Sequence, residues 1–373
     1  SHAMGGTLCS CLGLHGMQCF VDSLAREAHV GDANCEELLE TLANEDVDDD
    51  FDSEVAKIGK LMHLVSQTGN VFKKGSFLCS LIAAKRETDH RIVWTNDRMG
   101  DAECVYIIAV SHMKRCVTVI FRGTTTVNDI FQNADFGAMA KPNPIKEDYL
   151  GKSELIEMNN GYCQYLLTKR DDSGKTKFDE IAERVHKYGE EIGKGGYSIY
   201  VTGHSMGGAL ATIFGLYAST QDRFTQGGNP VRVVTFASAI PGRISFAKAF
   251  QRQEKVGLLQ HLRITNDNDI VPLAHPQDEL TFAHTGVSLT FHEDKTIPSI
   301  KYVQDPDWWG TWTANIQTNL YLNFPWRTLA VGRNHGTINY MKRYENIQSE
   351  VKSDECLGKM TLNDVYSAYV KLE

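Results

Sequence analysis

The 373-residue sequence lacks any apolar run near the roughly 18 residues a membrane span requires; its longest are stretches such as residues 77–84. It has no internal repeat and no low-complexity tract. It has no excess of positive charge either: 38 Lys and Arg stand against 47 Asp and Glu, a formal balance of −9. A nucleic-acid surface built on bulk charge is therefore excluded, although a local basic patch is compatible with the balance. The nine cysteines are scattered, and Cys9-x-Cys11 lacks the C-x-x-C spacing of a redox or zinc motif. Their odd number fits buried free thiols in a reducing compartment; a secreted chain with a few disulfides is the rival reading. The acidic run Glu45-Asp46-Val47-Asp48-Asp49-Asp50 is no calcium loop. Counted from Asp46, the sixth and twelfth places hold Phe51 and Lys57 where Gly and Glu are needed, so the run reads as a solvated linker or helix start. The opening Ser1-His2-Ala3-Met4 has the form of an expression scar, so the lack of a signal-peptide pattern behind it carries little weight on targeting.

What is present is an ordinary globular composition, 42% hydrophobic and 23% charged, which rules out a disordered, collagen-like or disulfide-stapled chain. Residues 1–51 read as a helical, Cys-containing extension with its acidic linker. From residue 52 the pattern changes. Val55, Ile58, Leu61, Met62 and Val65 recur at spacings that predict a one-faced helix over 55–65. Residues 104–110 and 117–121 are β-rich runs around Ser111-His112-Met113-Lys114-Arg115, a predicted hairpin. Residues 197–201 and 232–236 predict further strands, 262–264 a weaker one, and 209–218 a long apolar helix. Such alternation predicts an α/β fold with a largely parallel central sheet flanked by helices.

The sharpest signal is Gly203-His204-Ser205-Met206-Gly207-Gly208, between a predicted strand and a predicted helix. G-x-S-x-G in that setting is a nucleophile elbow. A strand-to-helix turn this tight brings backbone close on both sides of the Ser, which Gly at −2 and +2 permits. The turn lifts the Ser205 hydroxyl clear of the sheet beside backbone N–H groups at a helix N-terminus. A serine hydroxyl needs a base, and the base needs an orienting group. Downstream lie His261, His275, His284, His292 and His335, and an acidic cluster in Asn266-Asp267-Asn268-Asp269-Ile270-Val271-Pro272 at a strand end.

Taken together, Val119-Ile120-Phe121-Arg122-Gly123-Thr124, the elbow with Ala209-Leu210-Ala211, Val234-Thr235-Phe236, Asp269-Ile270-Val271-Pro272 and His335 with Tyr340 five residues on resemble the class 3 lipases, α/β hydrolases of the fungal-lipase type. The resemblance spans about residues 52–345, leaving 346–373 as a C-terminal helical segment. It implies an α/β-hydrolase fold with Ser205 as nucleophile, Asp269 as acid and His335 as base. It also implies an oxyanion hole made by Thr124 and the Met206 amide, and chemistry that uses no metal or organic cofactor. By the same match Asp267 is a solvated loop carboxylate and Arg122 a structural cation. His284 follows the acid too closely to be the base. His204 points away from the reacting side, for packing or hydrogen bonding, and His261, His275 and His292 are polar or core histidines.

In this family the segment after the oxyanion strand forms a lid. Here Val127, Ile130, Phe131 and Ala134 make one apolar face of a short helix, which suits a lid or a fold-internal helix equally by spacing. Many relatives carry Trp where this chain has Ile130. An insert over 292–334 holds four of the five tryptophans, at 308, 309, 312 and 326. It reads as a lipid-contacting surface, a cap over an acyl pocket, or a subdomain core. The resemblance implies a lipid-ester hydrolase acting on acylglycerols, cytoplasmic or peripheral to a lipid surface. The alternatives are a phospholipase A1 or galactolipase, a plain carboxylesterase, or a non-catalytic scaffold. With a balance of −9, contact with a lipid interface is expected to rest on apolar lid and insert residues, and no nucleic-acid partner is expected.

Overall fold

The computed structural model describes residues 90–96, 106–123, 137–170, 173–194, 196–267, 269, 271–273, 281–293, 299–302, 334–336, 339–340, 342–343 and 362–370. The extension, the helix expected over 55–65, the lid segment and most of the aromatic insert lie outside the described residues.

The expected hairpin is present as β2 (Tyr106–Ser111) and β3 (Cys116–Phe121), antiparallel and buried at every residue. Strands buried on both faces require a covering layer on each side, and their sequences accordingly run apolar without alternation. β3 pairs in parallel with β6 (Ser198–His204), β6 with β7 (Val231–Phe236), β7 with β9 (Leu259–Asn266), and β9 with β11 (Val287–Phe291). β1 (Arg91–Asn96) and β12 (Ser299–Tyr302) add antiparallel edges, completing an eight-stranded sheet in the order β1-β2-β3-β6-β7-β9-β11-β12. The largely parallel sheet expected from the sequence is thus the core of the molecule.

Two layers cover it. On one face lie α2 (Lys177–Gly193) and α3 (Met206–Ser219). The sequence Met-Gly-Gly-Ala-Leu-Ala-Thr-Ile-Phe-Gly-Leu-Tyr-Ala-Ser of α3 is apolar all round, and nearly all of it is buried, as a central helix must be. Phe214 of α3 packs its ring against Phe121 at 5.8 Å and Phe178 at 5.1 Å. Each such ring contributes about 1.5–3 kcal/mol by leaving water. The opposite face buries Val234, Phe236, Leu262, Ile264, Leu289 and Phe291 against Tyr340 and against Tyr366 and Val370 at the end of the chain. Val233 and Val234 go to different clusters, as the two-residue repeat of a strand dictates.

Several elements were not foreseen. α2, the longest described helix, starts at a capping box in which Thr176 and Asp179 satisfy each other's backbone N–H groups. It buries Phe178, Ile181, Ala182 and Val185 at helical spacing. A second, antiparallel sheet joins β10 (Phe282–Ala283), β8 (Gly242–Arg243), β5 (Leu155–Asn159) and β4 (Ala138–Pro142). It packs with α1 (Asn160–Leu167) and α4 (Ile244–Lys255). β9 is eight residues long rather than the three expected over 262–264. His261 and Arg263 interrupt its apolar run, yet His261 is buried between the hydroxyls of Thr235 and Thr285, each 3.0 Å away. Burial, then the Arg263 charge, lowers its pKa to about 3, so it sits in the core as a neutral, doubly bonded ring. Part of the 292–334 insert, β12, is simply an edge strand on β11.

Candidate active site

In the parallel part of the sheet the strands β3, β6, β7 and β9 end together. Phe121 is opposite Gly203, His204 opposite Phe236, and Phe236 opposite Ile264. Carboxyl ends of parallel strands are where α/β folds place their sites, and Ser205 and Asp269 follow closely on the ends of β6 and β9.

Ser205 stands between the last residue of β6 and the first of α3, with φ 59° and ψ −125°. A non-glycine residue there is strained by roughly 1–3 kcal/mol and persists only where its surroundings over-determine it. They do. Ser205 N–H donates to Phe236 O at 3.0 Å, and Ser205 O accepts from Gly208 N–H at 3.0 Å and Ala239 N–H at 3.3 Å. The two glycines act by close approach. A Cβ on Gly203 would collide with the Gly207 carbonyl, and one on Gly207 with the carbonyls of Phe121 and Arg122. The end of β3 is therefore pressed against the elbow, and a Cβ on Gly123 would lie 2.6 Å from His204 O and 3.4 Å from Ser205 Cβ. Thr124 follows directly but lies outside the described residues, as do Val127, Ile130 and Phe131. Met206 is the first residue of α3, so its amide belongs to the N–H groups exposed at a helix start.

Asp269 follows β9 and is 1% exposed; His335, 66 positions later, is 4% exposed. His335 Nδ1 lies 3.0 Å from both Asp269 oxygens. Asp269 Oδ1 also accepts from Val271 N–H at 3.0 Å, and Oδ2 from the Tyr340 hydroxyl at 2.7 Å. Burial and then the Asp269 charge push the Tyr340 hydroxyl well above the ordinary phenol range, so it can only donate to the carboxylate. The partner of Nδ1 fixes the tautomer of His335: a carboxylate only accepts, so Nδ1 carries the hydrogen and Nε2 keeps its lone pair. Nε2 and Ser205 Oγ are both buried and have no hydrogen-bond partner among the described residues. A buried acceptor and a buried hydroxyl without partners are groups held ready for a reacting molecule.

A network around the base was largely outside the sequence reading. Asn266 N–H donates to the Tyr340 oxygen at 2.9 Å, and Asn266 Nδ2 to Asn334 O at 2.9 Å. His204 Nε2 lies 2.7 Å from His335 O, with the two rings 4.6 Å apart. Asp267 is not the solvated loop carboxylate expected. Arg343 donates to it at 2.7 Å, and His292 Nδ1 approaches to 3.5 Å. Burial alone would raise its pKa, but the Arg343 hydrogen bond, the Glu293 N–H and the Arg343 charge outweigh that and hold it below the usual range. Arg343 also donates to Phe291 O and to Asn334 Oδ1. His284 is engaged elsewhere, with Nε2 2.6 Å from Pro272 O. Nothing local marks Asn266, Asn334 or Arg343, because their partners lie 9 to 76 positions away.

Residues 118–279 match the class 3 lipase family, a span that includes Ser205 and Asp269 but not His335. Phospholipase A1-II 6 of rice is 29% identical over 177 residues, covering 44% of this chain and 41% of the rice protein. Lipase ZK262.3 of Caenorhabditis elegans is 30% identical over 174 residues, covering 45% and 40%. The chain thus spans under half the length of these relatives. Among solved structures, the lipase of Rhizomucor miehei in its propeptide complex superimposes with a TM-score of 0.51 at 17% identity, covering 70% of this chain and 75% of that one. Lipase II of Rhizopus niveus gives 0.50 at 18%, covering 68% and 84%. At such identities the structural likeness speaks to the α/β-hydrolase fold. The part of the chain that matches the class 3 lipase family, residues 118–279, is thus the part that carries the elbow and the acidic loop.

Proposed function

We propose that the protein is a serine carboxylic ester hydrolase that cleaves lipid esters, acylglycerols first among them, through an acyl-enzyme on Ser205. The observation that carries this reading is the pair of buried atoms Ser205 Oγ and His335 Nε2, without a hydrogen-bond partner among the described residues, with Nδ1 of the same ring held by Asp269. His335 Nε2 takes the hydroxyl proton as Ser205 attacks the ester carbonyl. Asp269 holds the tautomer and stabilises the imidazolium that forms. The oxyanion is received by the Met206 N–H at the start of α3 and by Thr124, each such donor contributing on the order of 3–4 kcal/mol. His335 then protonates the departing alcohol, and water, activated by the same ring, releases the acid.

Neutral acylglycerols are favoured over anionic headgroups by the formal balance of −9. A second reading, a phospholipid substrate, is supported by the relatives named phospholipase A1 from rice and Arabidopsis thaliana. The test is a substrate panel of tri-, di- and monoacylglycerols beside phospholipids, run with a Ser205→Ala control and a fluorophosphonate label. The reading expects label on Ser205 and a loss of at least about 10⁴-fold in kcat for Ser205→Ala. Label on another residue, or an active Ser205→Ala protein, refutes the mechanism. A negligible rate on every acylglycerol beside turnover of phospholipids moves the substrate to the second reading.

A further inference from the structure

The base is not part of the sheet. His335 stands in a segment 131 positions beyond His204, and its ring can meet Ser205 only if the segment's main chain is held in place. Two side chains do this. Asn266, the last residue of β9, donates to Asn334 O at 2.9 Å, and His204, the last residue of β6, lies 2.7 Å from His335 O. The carbonyls on both sides of the base's own Cα are thus tied to the ends of β6 and β9, the two parallel strands that flank β7. Because a carbonyl oxygen only accepts, His204 must carry its hydrogen on Nε2. His204 is 9% exposed, its ring lies 4.6 Å from that of His335, and it meets Tyr340 edge-on at 6.1 Å.

We propose that His204 is a positioning residue for the ester hydrolysis: through Nε2–H···O=C to His335, the elbow that aims the nucleophile also sets the place of the base. The inference rests on the proposed roles of Ser205 and His335. His204 immediately precedes Ser205, and both take part in the same backbone pairing. His204 is opposite Phe236 in the sheet, and Ser205 N–H donates to Phe236 O. One short piece of backbone therefore fixes both reacting side chains in a common frame. Without the tie, the base could shift relative to Ser205 Oγ while the fold stays intact, and such a displacement by about 1 Å costs on the order of 10²-fold in rate. KM is expected to stay unchanged, because His204 faces the base segment and not the substrate.

The experiment compares His204→Phe, His204→Gln and His204→Asn with the parent protein, using kcat and KM on a short soluble ester, the rate of fluorophosphonate labelling, and thermal melting. Phe keeps the ring and loses the donor. Gln places an amide N–H near the position of Nε2, and Asn is too short to reach. Expected are losses of about 10–100-fold in kcat and labelling rate for Phe and Asn with KM within about twofold, and recovery by Gln to within about threefold. A folded Phe variant with parental kcat, or a Gln variant no faster than Asn, overturns the proposal. So does activity that follows the melting temperature and not the presence of the donor. Should the Phe variant fail to fold, Gln against Asn decides in the same way. A Ser205→Ala control that is dead while the His204 variants are indifferent overturns this inference alone; an active Ser205→Ala protein overturns the underlying mechanism and the inference with it.

Discussion

Replacing Tyr340 by Phe removes one oxygen atom and leaves the buried ring in its cluster with Phe236, Ile264 and Leu289. That oxygen makes two contacts, donating to Asp269 Oδ2 at 2.7 Å and accepting from Asn266 N–H at 2.9 Å. The first is a charge-assisted bond of about 1.5–3 kcal/mol, and an amide left buried without its partner costs about 1–3 kcal/mol. The two share an atom and do not add fully, so the expected destabilisation is about 2–4 kcal/mol, read as a shift in urea midpoint at constant slope. The carboxylate keeps Val271 and His335, whose Nδ1 reaches both oxygens, but loses the shorter Tyr340 bond to Oδ2. A fall in kcat of about tenfold is therefore expected, far short of the roughly 10⁴-fold that follows when the acid can no longer set the imidazole tautomer. Urea denaturation and turnover of a soluble ester measure the two halves separately. Stability within about 0.5 kcal/mol of the parent would refute the bonding argument. A destabilised protein with unchanged kcat would show that Tyr340 serves the fold and not the acid.

Two further outcomes follow from the same geometry. Gly207→Ala places a methyl against the carbonyls of Phe121 and Arg122, which are backbone and cannot swing aside. It is expected to destabilise by about 1–3 kcal/mol and to slow fluorophosphonate labelling at least tenfold, because the end of β3 moves away from the elbow; an unaffected labelling rate contradicts this. Glu254 of α4 is buried, and burial pushes its pKa up to about 8 from the ordinary 4.5, hydrogen bonds from Tyr366 and Tyr302 offsetting only part of that. Between those values the folded protein keeps a proton that the unfolded chain has released. Stability should therefore fall as pH rises from about 4.5 through 8, by up to about 1.4 kcal/mol per pH unit. Glu254→Gln should flatten that slope in urea titrations across the range, and an unchanged slope would show that the group does not titrate there.

Much of the fold was legible because its signals are short-range. The runs of β2 and β3 are almost wholly apolar, since both faces of those strands are covered, and the all-round apolar character of α3 marks a central helix. The central strand β9 reads short in the sequence because His261 and Arg263 interrupt its apolar run, and the burial of His261 depends on Thr235 and Thr285 in other elements. The second sheet escaped notice because β8 and β10 are two residues long and are strands only by virtue of their neighbours. At the site, Asp269 and His335 were nameable through the family resemblance. Asn266, Arg343 and the acceptor of His204 were not, and Asp267 was misjudged because its partner Arg343 lies 76 positions away.

The sequence by itself determined the elbow, since the collisions that demand glycine at 203 and 207 arise within a few residues of Ser205 and from the strand that must pass it. It determined too that a parallel sheet would carry that elbow. Only the tertiary structure decided how the base is held. Asn266, His204, Tyr340 and Arg343 reach the His335 segment from different strand ends and from farther along the chain. Hydrogen bonds are satisfied by whatever donor folding brings within about 3 Å, and separation along the chain does not limit which one that is.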